Sequence, residues 1–88
     1  MFQHASHPAI VKRLKRAEGH LKSVINMIEK ERSCIEIAQQ LQAVERAIAN
    51  AKQTLVRDHI DHCLEHVTEG GQSAKDTIEE FKAITKYL

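Results

Sequence analysis

The chain has 88 residues, a length that fits one small domain. Its basic and acidic side chains nearly balance, and two Phe, one Tyr and no Trp offer few aromatic platforms for stacking nucleic-acid bases. This composition argues against modules that bind single-stranded RNA or DNA by stacking. A single Pro, three Gly and many helix-forming residues favour an all-α fold.

The N-terminal third predicts a tail followed by a helix. Residues 1–7 show no hydrophobic periodicity, and we expect them to form a flexible tail that carries His4 and His7. Pro8 suits the first turn of a helix, and apolar residues at helical spacing predict this first helix over 8–30. The residues that define its apolar stripe are Val11, Leu14, Leu21, Ile25 and Ile28.

The segment from Ser33 to Thr68 contains no Gly and no Pro, and it predicts one long helix over 34–68. Ser33 and Glu36 form a capping-box pattern at its start, and a Glu-Gly-Gly sequence marks its end. A helix of this length spans on the order of 50 Å, so we expect a second protomer to bury part of its apolar surface. Its apolar residues recur at alternating steps of three and four, as in a coiled coil: Cys34, Ile37, Leu41, Val44, Ile48, Ala51 and Leu55.

A short third helix is predicted over 74–87, because Ser73 and Asp76 form a second capping pattern before it. Its apolar stripe, which is expected to pack back on the bundle, consists of Ile78, Phe81 and Ile84 or Thr85. The predicted protomer therefore has three helices in a single domain over 8–88, with a long helix at its centre.

The two cysteines of the chain lie near opposite ends of the long helix. Cys34 and Cys63 would be roughly 43 Å apart on one helix, so they can meet only if two copies pair antiparallel. His59 precedes Cys63 by four residues and shares its face. Two thiolates and one imidazole suit a three-coordinate Cu(I) site between subunits. The alternative is that both thiols are buried core residues.

Further histidines leave the choice of metal open. His4 and His7 in the tail, and His62 beside the Cys63 face, are either surface residues or additional nitrogen ligands. Ni(II) and Co(II) prefer more ligands and harder donors than Cu(I), so these histidines would permit either ion.

A basic patch is predicted on the first helix. Lys12, Lys15 and Arg16 fall on one helical face, Arg13 lies beside them, and Arg46 on the second helix is a further candidate. This patch is either a solvated surface or a contact for the phosphates of double-stranded DNA, in which case binding weakens steeply with salt.

Other classes of protein are disfavoured by the sequence. A nucleophile in a Gly-rich or strand-turn-helix context is missing from the sequence, so enzyme activity is not expected. No apolar stretch approaches 18 residues and no signal-peptide pattern is present, so we expect a cytoplasmic protein with reduced thiols and no membrane partner.

Several motifs together resemble the CsoR/RcnR/FrmR family of bacterial metal- and aldehyde-responsive transcriptional repressors. The resemblance covers essentially 8–88 and is carried by the sequences RLKRAEGH at 13–20, SC at 33–34, AQQL at 38–41 and DHIDHC at 58–63. It implies an antiparallel dimer, a homotetramer of two dimers, and repression of an efflux or detoxification operon that is relieved when an effector binds between subunits.

The resemblance also implies an effector. Cys34, His59 and Cys63 match the copper(I)-sensing branch, and Glu79 matches a third-helix Glu that supports its site. The alternative is a Ni(II)- or Co(II)-responsive repressor that adds His4 and His7. Formaldehyde and persulfide sensors are disfavoured by Cys63 and His59, respectively. A cytosolic copper buffer without DNA binding, and a helical scaffold with unliganded thiols, are the alternatives from other classes.

Overall fold

The computed structural model describes residues 5–66 and 71–88, and it describes side chains for 5–65 and 74–88. It contains three α-helices: α1 (His7–Glu29), α2 (Cys34–His66) and α3 (Gly71–Ile84), with a 3-10 turn at Thr85–Tyr87. The described part of the chain contains no strand, and the predicted all-α, three-helix fold is confirmed. Among the described helices, none is both long and apolar enough to cross a membrane.

The chain divides into two compact units. One, which we call the hairpin unit, spans Pro8–Lys52 and contains most of α1 and the first part of α2. The other, which we call the C-terminal unit, contains Gln53–Leu88 together with the residues up to His7.

The link between α1 and α2 is a Schellman motif. The Glu31 N–H donates to the Ile28 carbonyl at 3.0 Å, and the Arg32 N–H donates to the Met27 carbonyl at 3.0 Å. Glu31 has φ = 57°, which is the left-handed conformation that this motif requires after a helix and that usually selects Gly. The predicted connection is therefore present, and a non-Gly residue occupies its strained position.

We expect Glu31→Gly to raise the free energy of unfolding by about 0.5–1 kcal/mol. Removing the Cβ relieves the cost of the left-handed conformation, and the greater freedom of Gly in the unfolded chain offsets part of that gain. Urea denaturation measures the effect, with Glu31→Ala as the control that removes the carboxylate and keeps the Cβ. A Gly variant no more stable than the Ala variant would contradict this account.

The start of α2 is capped as its sequence predicts. The Glu36 N–H donates to Ser33 Oγ at 3.1 Å, and the Ile37 N–H donates to the Ser33 carbonyl at 3.0 Å. The Glu36 carboxylate accepts a hydrogen bond from Arg32 Nη2 at 2.8 Å instead of completing the capping box. Ser33 therefore fixes where α2 begins, and the ion pair between Arg32 and Glu36 connects the residue before the cap to the first turn.

The start of α3 differs from the prediction. The helix begins at Gly71, three residues before the expected start, so Ser73 lies in its first turn and not at its cap. Gly lowers helix stability by only about 1 kcal/mol relative to Ala, and such a cost is readily outweighed by packing. The predicted end of α2 falls on residues 67–70, outside the described part of the chain.

Intrachain burial in the hairpin unit does not use the predicted stripe of α1. The buried residues of α1 are Ile10, Ala17 and Val24, spaced seven apart, and in this unit Val44 and Ala51 of α2 are buried as well. The predicted stripe residues instead remain 40–53% exposed: Val11, Leu14, Leu21, Ile25 and Ile28. At about 100° per residue the two sets overlap into one broad apolar stripe, and one chain covers only one edge of it.

The C-terminal unit holds the N-terminal residues against α2. Ser6 Oγ donates to Asp58 Oδ2 at 2.5 Å, and Ala5 and Ser6 form a turn before α1 begins at His7. Asp58 thus supplies Ser6 with a partner that the sequence pattern did not indicate. His4 lies outside the described residues.

Candidate metal centre and basic cleft

Two predicted ligands and one unpredicted carboxylate form a cluster in the C-terminal unit. Among the residues that the structure describes, His59, Cys63 and Glu80 are the three whose ligand atoms all lie within 4.8 Å of one another. α2 carries His59 and Cys63 four residues apart on one face, and α3 supplies Glu80. His59 Nε2 lies 3.8 Å from Glu80 Oε1.

The Cys63 thiol is in a setting that disfavours its ionised form. Its residue is 2% exposed, and burial raises the pKa of the thiol, with the negative Glu80 carboxylate raising it further. The free thiol is therefore protonated at neutral pH. Because a metal ion binds the thiolate, an ion that enters this cluster must displace the proton.

Cys34 lies elsewhere on the chain. It is the first residue of α2, it is exposed, and it belongs to the hairpin unit and not to the cluster. A single chain thus brings together one sulfur, one nitrogen and one oxygen donor, a set that fits a metal ion. A second thiolate has to come from outside this cluster.

The remaining predicted ligands are not in the cluster. His62 is half-buried on α2, and His7 is half-buried at the start of α1. Glu79, the expected third-helix carboxylate, and its neighbour Glu80 are both exposed, and it is Glu80 that lies near His59. Adjacent helical residues point about 100° apart, and the sequence does not specify how α3 is rotated against α2. In the sequence, the only hint of a role for Glu80 was that it directly follows Glu79, so that either carboxylate could have been the one near His59.

The hairpin unit contains a cavity of about 310 Å³ between α1 and α2, which we call the basic cleft. Its lining residues are Arg13, Arg16, Ala17, His20, Ala47 and Asn50. Lys12, Lys15 and Arg46, the other predicted DNA contacts, are exposed and do not line the cleft. The predicted basic patch therefore includes two arginines that share one concave site.

Residues 6–87 match the model of a protein family described as "Metal-sensitive transcriptional repressor". The chain belongs to this family. The predicted resemblance to the CsoR/RcnR/FrmR repressors is confirmed, and with it the general function of a metal-responsive transcriptional repressor that is not an enzyme. Repression of transcription implies that this metal-sensitive repressor binds DNA.

Similar metal-sensitive repressors differ in the metal they sense. The copper-sensing transcriptional repressor CsoR of Bacillus subtilis (strain 168) is 36% identical over 80 residues, which cover 88% of this chain and 79% of that protein. The copper-sensing transcriptional repressor RicR of Mycobacterium tuberculosis is 36% identical over 73 residues, which cover 82% of this chain and 76% of that protein. The solved structure of the nickel-responsive transcriptional regulator InrS superposes with a TM-score of 0.82 at 27% identity, covering 100% of this chain and 99% of the other.

Proposed function

We propose that this metal-sensitive repressor releases the operator of a metal efflux or detoxification operon when Cu(I) binds at an intersubunit site. The site consists of Cys34 of one protomer with His59 and Cys63 of its partner. The observation that carries the proposal is the His59–Cys63 cluster, which brings two of the three predicted ligands within 4.8 Å of each other on one helical face. The site of action is the cytoplasm, where reduced thiols and DNA are both available.

The donor set favours a soft ion. Two thiolates and one imidazole match the preference of Cu(I) for sulfur and a low coordination number. Glu80 Oε1 lies 3.8 Å from His59 Nε2, which is too far for a hydrogen bond but close enough for the carboxylate to support a metal-bound imidazole electrostatically. We assign Glu80 this supporting role in place of Glu79.

The proposed site needs an antiparallel pair of protomers. Large apolar side chains remain exposed along both long helices, including Leu21 and Ile25 on α1 and Leu41 and Ile48 on α2. So many large apolar side chains left exposed on two helices are typical of a protein interface. We propose that it forms a homodimer, and that two dimers form a homotetramer.

We propose that the exposed bases on α1, together with Arg46, contact operator phosphates. These bases are Lys12, Arg13, Lys15 and Arg16. If metal and DNA each favour a different arrangement of the subunits, their binding free energies are coupled, typically by 1–3 kcal/mol in both directions. The same factor that weakens DNA binding in the presence of metal then weakens metal binding in the presence of DNA.

The first experiment titrates the reduced protein with Cu(I) against a competing chelator, and separately measures binding to duplex DNA from upstream of its own coding sequence. We expect the wild type to outcompete the chelator and Cys63→Ala to fail, while both bind DNA in a salt-dependent manner. Only the wild type should release DNA when Cu(I) is added. DNA binding that is absent even at low salt would contradict the repressor proposal.

Ni(II) or Co(II) is a second candidate effector. Glu80 adds a hard oxygen donor beside His59 and Cys63, and the Ser6–Asp58 hydrogen bond ties the N-terminal segment to the residue before His59. His7 directly follows Ser6 in the sequence, and we propose that it supplies the additional nitrogen ligand for these ions. These two features favour the harder ions, which accept more ligands.

We expect Ser6→Ala to separate the two candidates. Loss of the Ser6–Asp58 hydrogen bond frees the N-terminal segment, and a supporting interaction of this kind typically changes metal affinity by about 10- to 100-fold. Competition titrations should show that loss for Ni(II) if the N-terminal histidines are ligands, and no change for Cu(I). Unchanged Ni(II) affinity in Ser6→Ala and in His7→Ala would exclude the nickel candidate.

A further inference from the structure

We propose that an apolar cavity beside Cys63 receives the side chain of Ile35 from the partner protomer. This inference rests on the proposed intersubunit site and deepens it, because it adds an apolar contact next to the three ligands. It makes Ile35 a positioning residue, which touches neither the ion nor the DNA and acts by holding the two protomers in register.

The cavity lies in the C-terminal unit, between α2 and α3, and has a volume of about 310 Å³. Its lining residues are Cys63, Leu64, Thr77, Ile78, Phe81 and Lys82. Leu64 and Ile78 are 54% and 42% exposed, so the cavity is open to solvent in a single protomer. Its exposed wall is apolar, and water there has few hydrogen-bond partners. An apolar side chain is therefore the favoured occupant.

Ile35 is an apolar side chain that a single protomer leaves in water. It is 73% exposed, and among the large apolar side chains that the structure describes, only the C-terminal Leu88 is as exposed. Ile35 therefore does not fill the cavity of its own chain. It directly follows Cys34 in the first turn of α2, and it lies outside the coiled-coil positions predicted from the sequence.

The proposed metal site brings Ile35 of one protomer to the cavity of the other. Metal–sulfur bonds are about 2.3 Å long, so two thiolates on one ion lie within about 5 Å of each other. Consecutive Cα atoms are about 3.8 Å apart, so Ile35 stays next to Cys34 wherever that thiolate binds. Cys63 is itself part of the cavity wall. The ion therefore sets a register in which the partner's Ile35 lies at the opening of the cavity.

Filling the cavity has two consequences for the site. The branched side chain covers the wall that Cys63 contributes and removes water from beside the thiolate. It also packs against Ile78 and Phe81 of α3, so the packing of α3 depends on whether the two protomers are joined. Metal binding and burial of Ile35 then favour each other, because each stabilises the same arrangement of the protomers.

The direct test detects the contact between protomers by NMR. Protomers with isotope-labelled isoleucine methyl groups are refolded with unlabelled protomers and loaded with Cu(I), and an isotope-filtered experiment records contacts between chains only. We expect a cross-peak between the Ile35 methyl groups and the Phe81 ring. The Ile35 signal is assigned by its loss in Ile35→Val. A Cu(I)-loaded dimer without this cross-peak would overturn the proposal.

A double-mutant cycle tests whether the contact stabilises the dimer. Ile35→Ala should raise the dimer dissociation constant roughly tenfold or more, as measured by sedimentation velocity of the Cu(I)-loaded protein. Ile78→Ala removes part of the cavity wall. The two substitutions together should raise the constant by less than the product of their separate effects, because they remove the same contact. Effects that simply multiply would overturn the proposal.

Ile48→Ala is the matched control for this cycle. It removes the same side chain from the same helix at a position that is 47% exposed. Ile48 lies thirteen residues beyond Ile35, about 20 Å along α2. Its effect should multiply with that of Ile78→Ala, since distant sites act independently. Coupling of Ile78→Ala to Ile48→Ala as strong as to Ile35→Ala would show a general loosening of the dimer and overturn the proposal.

A small apolar molecule is the alternative occupant of the cavity. The fluorescent probe anilinonaphthalene sulfonate is titrated into the Cu(I)-loaded wild type and into Ile35→Ala. We expect binding by Ile35→Ala only, because the substitution vacates the cavity. Binding by the wild type, with shifts of the Phe81 ring signals, would show that the cavity stays open in the dimer and would overturn the proposal.

The failure of this inference can be told apart from the failure of the proposed function. If Cu(I) releases DNA from the wild type and the cross-peak is missing, only the Ile35 contact is excluded. If the cross-peak is present and Cu(I) does not release DNA, the contact stands and the copper-responsive function does not.

Discussion

Refolding Cys34→Ala and Cys63→Ala protomers together should restore high-affinity Cu(I) binding that neither variant has alone. The proposed antiparallel dimer has two sites, each combining Cys34 of one protomer with His59 and Cys63 of the other. A mixed dimer keeps one complete site, since one protomer supplies an intact Cys34 and the other supplies the intact pair. Random pairing makes about half of all dimers mixed, so the mixture should bind about a quarter as much Cu(I) as the wild type.

The matched control is a mixture of Cys63→Ala with His59→Ala. Both substitutions affect the same half of the site, so no pairing of these protomers yields a complete ligand set. We expect no recovery, even though the same number of protomers is refolded together. Recovery in this control, or full Cu(I) binding by Cys34→Ala alone, would show that the site does not need a second chain.

The second large effect is expected for Ile48→Glu, which should separate the protomers. Position 48 lies about halfway between Cys34 and Cys63 in the sequence, so in the proposed antiparallel pair Ile48 of one chain lies near its own copy. Its side chain is 47% exposed in the protomer. Burying the part that is still exposed contributes on the order of 1 kcal/mol per copy, and two introduced carboxylates would repel each other.

We expect sedimentation velocity to show a dimer dissociation constant raised by roughly two orders of magnitude in Ile48→Glu. High-affinity Cu(I) binding should be lost as well, although all three ligand residues are intact. Gln42→Glu is the control, because it adds the same charge at an exposed polar position of α2. A dimeric Ile48→Glu protein with normal Cu(I) affinity would contradict the proposed pairing.

The sequence was sufficient to predict the three helices and the start of α2, because these depend on local chemistry. Ser33 caps α2 where its pattern with Glu36 indicated, and the uninterrupted segment after it forms one helix to His66. Tertiary contacts are what the pattern could not supply. Asp58 gives Ser6 a hydrogen-bond partner, and within one chain α1 buries Ile10, Ala17 and Val24 while the stripe residues stay exposed.

In the candidate metal site, too, local helix spacing was predictable from the sequence and the packing of one helix on another was not. The i,i+4 spacing predicted that His59 and Cys63 share a face, since that follows from helix geometry alone. The carboxylate that lies near His59 is Glu80, next to the expected Glu79, and which neighbour lies there depends on the rotation of α3 against α2. The basic cleft was also missed, since it requires His20 and Asn50 from two helices to line the same cavity as Arg13 and Arg16.

The different surroundings of the two thiols have a consequence for a protomer that has not yet found its partner. Cys63 is buried with a raised pKa, whereas Cys34 is exposed at the start of α2. Oxidants and alkylating agents need access to the sulfur, so they should attack Cys34 first. Damage there would leave a chain that still folds but cannot complete a metal site. In the proposed dimer, the partner that supplies His59 and Cys63 would therefore also shield Cys34 from oxidation.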